Sequence, residues 1–164
     1  MAAKAEGVSA CNLALCYRMP QYYLVNYKRL RLFPRDILIS GVNLNHPVDC
    51  VAQPGPVMFA LRGGLFGSGG SPLTRFNQQY VAAQLSQALV PYLLARSAAT
   101  SSLSCYGVEF SPVRLSNGVL LTSATTLGEL FTQCDLTGIQ PGSETRDADM
   151  LALAHVLSLL NRTC

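Results

Sequence analysis

The sequence predicts an α+β fold: a β-rich N-terminal half, a central helix, a β-hairpin and C-terminal helices in one compact domain. Three observations carry that expectation. Aromatic and β-branched residues with period-two alternation are concentrated in residues 8–63; an i, i+4 apolar stripe follows Ser71-Pro72; and Asn117-Gly118 marks a hairpin ahead of two further helical segments. The 164 residues contain no repeat and no linker long enough to divide them, so residues 1–164 read as a single α+β domain.

Tyr22–Phe33 alternates Arg29 and Arg31 against Leu30 and Leu32, the pattern of a half-buried strand. After Pro34, Asp36–Leu44 reads as a second strand carrying Ile37, Ile39 and Val42, with Gly41 at a bulge position. Residues 45–49, "NHPVD", are turn chemistry, and Val57–Leu61 reads as a short buried strand after the Pro54-Gly55-Pro56 break. Ser71 is a good N-cap and Pro72 suits the first helical position. From there Phe76, Tyr80, Val81, Leu85, Leu89 and Leu93 form an apolar stripe, accompanied by Gln78, Gln79, Gln84 and Gln87, until Pro91 ends the helix near Val90. The Ala/Ser/Thr run Ser97–Ser104 reads as a loop, and Cys105–Thr122 as a hairpin about Asn117-Gly118. A short helix is expected over Thr126–Cys134. The last helix starts near Ser143, with Glu144, Asp147 and Asp149 in its first turns, and runs to about Leu160.

Charged residues make up only 13% of the chain, against about 25% in an average domain. So few charges leave surface that a partner subunit would cover. The charge is also uneven: residues 1–100 carry nine Lys/Arg against three Asp/Glu, and residues 101–164 three against six. No run approaches the roughly 18 apolar residues of a spanning helix, and Glu6 and Asn12 spoil residues 1–16 as a signal peptide. The expected setting is therefore intracellular, cytoplasm or nucleus, where thiols stay reduced. Cys11, Cys16, Cys50, Cys105, Cys134 and Cys164 are widely and irregularly spaced and read as mostly free thiols; the Asn161-Arg162-Thr163 sequon reads as chance.

Four groups of residues are candidates for a site. The last helix is apolar nearly all round, and Met150, Leu153, Leu157 and Leu160 are expected to meet a protein partner or a second copy. Lys28, Arg29, Arg31 and Arg35, interleaved with Tyr22, Tyr23, Tyr27 and Phe33, form a basic surface. It would steer such a partner or, in a second reading, bind nucleic acid. Residues 61–76, "LRGGLFGSGGSPLTRF", place a glycine loop before a helix start, where backbone N–H groups attract anions. Its candidate ligands are Arg62, Gly64, Gly67, Ser68, Gly69 and Ser71. The loop departs from the P-loop pattern because Gly70 stands at the lysine position. Finally, Cys11, Cys16, His46 and Cys50 have ligand-like C-x4-C and H-x3-C spacing; no cofactor is expected unless these four hold zinc.

Arg62, Gly64, Phe66, Gly67, Ser68 and Gly70 resemble the C-terminal glycine motif of the dUTPases. That likeness implies a loop that closes over a nucleotide, with Phe66 on the base and Ser68 and the backbone on phosphates. It covers about ten residues of the chain; a helical half follows it, and residues 1–61 lack the family's Asp motifs.

A Cys/His nucleophile pair would have to use His46 or His155; there is no G-x-S-x-G, and the acids are scattered. The expected function is therefore a non-enzymatic interaction or assembly subunit. Its texture (short, Ala/Leu/Ser-rich and cysteine-bearing) would suit an accessory or structural protein of a large DNA virus. The alternatives are nucleic-acid binding through residues 22–35 and nucleotide or anion binding through residues 62–71.

Overall fold

A computed structural model describes residues 11–13, 15–26, 29–30, 33, 37–39, 42–43, 55–63 and 70–164. Its elements in chain order are α1 (Pro20–Asn26), β1 (Leu38–Ile39), β2 (Val42–Asn43), α2 (Gly55–Leu61), α3 (Pro72–Ala88) and α4 (Tyr92–Ala98). A 3-10 turn (Leu103–Tyr106), β3 (Val113–Arg114), β4 (Leu120–Leu121), α5 (Leu127–Gly138) and α6 (Glu144–Leu160) complete the order.

The chain is mostly helical, which overturns the expected β-rich N-terminal half. Tyr22–Phe33 does not begin as a strand: residues 22–26 lie in α1, which starts on Pro20, a residue whose fixed φ suits a first turn. Val57–Leu61 is not a strand either. The Pro54-Gly55-Pro56 break leads into α2, because proline in a first turn forfeits no helical hydrogen bond. Asp36–Leu44 is no continuous strand but contains the short antiparallel pair β1–β2, with Leu38 opposite Asn43 and Ile39 opposite Val42. Ser97–Ser104 is partly ordered as the end of α4 and the start of the 3-10 turn.

The C-terminal expectations fare better. Ser71 Oγ accepts from Thr74 N at 3.1 Å and starts α3. Thr126 and Glu129 form a reciprocal capping box that starts α5. Ser143 Oγ accepts from Arg146 N at 3.0 Å and starts α6. The hairpin is reduced to β3–β4, with Val113 opposite Leu121 and Arg114 opposite Leu120. Gly118 turns it at φ 90°, a backbone that side chains disfavour.

α3 is the hub, packing chiefly against α6 and then α2. Its two sides feed two cores. Phe76, Tyr80 and Ala83 join Leu130 of α5 and Met150, Leu153, Val156, Leu157 and Leu160 of α6. On the other side, Val81, Ala82, Leu85 and Ala88 join Tyr23, Ile37, Val57, Ala60 and Leu61. Burial on both sides suits a central helix that carries Ala82, Ala83, Ser86 and Ala88, small side chains that let neighbouring backbones approach.

The segment before α1 is a strap across the first core, burying Leu15 and Tyr17. Disulfides Cys11–Cys105 and Cys16–Cys164 hold it down, with Cα–Cα distances of 5.4 and 5.3 Å. Four of the six cysteines are therefore bonded, against the expectation of mostly free thiols. Wide, irregular spacing is poor evidence of free thiols, because it is the fold that brings residues 94 and 148 positions apart into contact. No helix among the described residues is long and apolar enough to cross a membrane.

Candidate functional site

Met150, Leu153, Leu157 and Leu160 are fully buried in the chain's own core. That corrects their assignment as a contact face. A helix apolar nearly all round lies here between α3 and α5 rather than against a partner, and its exposed large apolar residue is Leu151.

The proposed zinc set does not assemble. Cys11 and Cys16 are each in a disulfide with another cysteine, a bond that removes the thiolates a metal needs. His46 and Cys50 lie outside the described residues; among the described residues no group of three or more metal-ligating side chains is formed.

Of the basic group, Arg29 is exposed and donates to Asn26 Oδ1 at 2.5 Å; Lys28, Arg31 and Arg35 lie outside the described residues. Of the glycine loop, Arg62 is exposed and Ser71 serves as the α3 cap, whereas Gly64, Gly67, Ser68 and Gly69 lie outside the described residues. The Asn161 of the sequon caps α6 and is buried, its Nδ2 donating at 3.0 Å to Gln79 O and Oε1; a glycan on Nδ2 would displace these bonds.

Two features not singled out in the sequence remain. The first is the start of α4. Tyr92, Leu93 and Leu94 are 58%, 74% and 45% exposed, three large apolar residues in a row. Their base is firm. Ala95 and Ala98 are buried beneath them, and Pro91 O accepts from Leu94 N at 3.0 Å and Ala95 N at 3.1 Å. Ala99 O accepts from Gly128 N at 2.9 Å, and a Cβ on Gly128 would lie 3.2 Å from that oxygen, so glycine is what permits the close approach to α5.

The second is a cavity of about 150 Å³ between α3 and α5, whose described lining is Leu38, Phe76, Tyr80, Cys134, Asp135, Leu136, Gly138 and Ile139. Tyr80 Oη donates to Asp135 Oδ1. Burial raises the Asp135 carboxyl above the usual range, against the lowering effect of the Tyr80 hydroxyl. Burial likewise raises the Tyr80 phenol, helped by Cys134 and Asp135. Cys134 is fully buried and its thiol is held well above its ordinary value, first by burial and then by Asp135, the reverse of what activates a nucleophile. His155 is exposed on α6, and among the described residues no hydrogen bond joins it to Cys134. The signal for α4 was present in the sequence as "PYLLARSA", but the Leu89/Leu93 spacing assigned Leu93 to the stripe of α3.

Comparison with protein-family models, with curated proteins and with solved structures finds no match.

Proposed function

We propose that the chain is a non-enzymatic assembly subunit that associates with a second copy through the start of α4. The observation that carries this reading is the run Tyr92-Leu93-Leu94, exposed on a base that packing and hydrogen bonds hold fixed. Three exposed large apolar residues in succession are unfavourable in water unless something covers them. The uneven charge supports self-association, since the basic first hundred residues of one copy complement the acidic remainder of another. The two disulfides favour an oxidising compartment for this role over the reducing one expected from the sequence.

Sedimentation velocity of the wild type and Leu93→Glu tests the reading. Because Leu93 is 74% exposed, the substitution should leave the melting temperature within about 2 °C of wild type. The wild type is expected to sediment as a dimer or larger species and the variant as a monomer. A wild type that remains monomeric at its highest soluble concentration contradicts the proposal.

A further inference from the structure

We propose that the cavity between α3 and α5 binds a primary alkylammonium group, its carbon chain against Phe76, Leu136 and Ile139 and its ammonium on Asp135. A volume of about 150 Å³ admits a guest of benzene's size class, about six heavy atoms. The described lining is apolar on most sides, and among the described residues that line it Asp135 is the one charged side chain. No cation pairs with that carboxylate among the described residues, whose salt bridge is Arg146–Asp147. A neutral guest would cover Asp135 without replacing its water, and an anion would be repelled.

The geometry also selects among cations. Oδ1 accepts from the Tyr80 hydroxyl, which orients the carboxylate, while Oδ2 has no donor among the described residues. One open oxygen suits an ammonium, a point charge with rotatable donors. A guanidinium fork is best met by both oxygens of a carboxylate. Leu136 and Ile139 are 45% and 67% exposed at the mouth, ready to cover the methylenes of the guest. This chemistry has two sources, a free alkylamine and a lysine side chain on a polypeptide. It goes beyond the assembly reading and does not use α4.

The test is an NMR titration of the ¹⁵N-labelled full chain at constant ionic strength with n-butylammonium chloride, n-butanol and Nα-acetyl-lysine N-methylamide. Butylammonium is expected to shift amides within residues 76–80 and 134–139. Butanol should bind about fivefold or more weakly, the difference a charge-assisted hydrogen bond makes. Asp135→Asn, which keeps an acceptor for Tyr80, should abolish the preference for the ammonium. Within the proposal, a lysine derivative that binds at least as tightly as butylammonium assigns the guest to a polypeptide, and weaker binding assigns it to a free amine. Equal binding of butylammonium and butanol by the wild type overturns the proposal, whether or not the variant folds. So does an unchanged preference in a folded Asp135→Asn, or the absence of shifts at these positions. None of these results depends on whether Leu93→Glu alters association.

Discussion

The four glutamines of α3 show how much a single polar side chain decides here. Gln78 Nε2 donates to Leu61 O at 2.9 Å at the end of α2, and Gln87 Nε2 to Tyr17 Oη at 3.3 Å on the strap. Gln79 receives Asn161 from the end of α6. Gln84 is buried and behaves as a neighbouring strand would, accepting from Leu38 N at 2.7 Å and donating to Leu38 O at 2.9 Å. In the sequence these residues are only the polar company of an apolar stripe; nothing in their spacing shows that they bind four different segments to the hub. Replacing Gln84 by Leu keeps the volume and strips both Leu38 groups of their partner. The expected loss is about 1–3 kcal/mol, read from urea midpoints. A loss below about 0.3 kcal/mol would show that water satisfies Leu38 equally well.

At the scale of elements, legibility follows how local the cause is. α3, α5 and α6 begin on Ser71, Thr126 and Ser143, each of which satisfies an N–H three residues on, so their starts can be read from the chain. α1 and α2 are seven residues each, too short for helical periodicity to separate from a buried strand. What holds them is distant: Tyr23 and Val57 pack on the far side of α3, and Tyr23 Oη shares a hydrogen bond with Ser86. The strap is the extreme case, since its placement depends on cysteines from the 3-10 turn and the C-terminus. Non-reducing peptide mapping is expected to recover Cys11 linked to Cys105 and Cys16 linked to Cys164. Replacing Cys16 and Cys164 together by Ser should lower stability by about 2–4 kcal/mol, since this bridge closes the longer loop. Recovery of Cys16 linked to Cys50 would contradict the placement of the strap.

At the scale of the molecule, burial sets the response to pH. Tyr17, Tyr23 and Tyr80 all have raised phenol pKa values, Tyr23 to about 12, and burial is the leading cause in each. In the unfolded chain these phenols ionise near pH 10 and the Cys134 thiol from about 8.5, while the folded chain keeps their protons. The unfolded state then binds fewer protons, so stability falls as pH rises. The tyrosine contribution is complete below about pH 10 and is lost as pH climbs toward the folded values. Urea midpoints are expected to be level from about pH 7 to 8 and to drop steeply above about pH 10. A midpoint that holds steady through about pH 11 would show that these phenols are hydrated in the folded chain.

In the proposed assembly the surface for association is the start of α4 and not α6. Hydroxyl-radical footprinting at low and high protein concentration tests it most directly, because it reads side-chain exposure residue by residue. Oxidation of Tyr92, Leu93 and Leu94 is expected to fall as concentration rises, while Met150 and Leu157 are protected throughout. Unchanged oxidation of Tyr92, Leu93 and Leu94, or concentration-dependent protection of Met150 and Leu157, would contradict it.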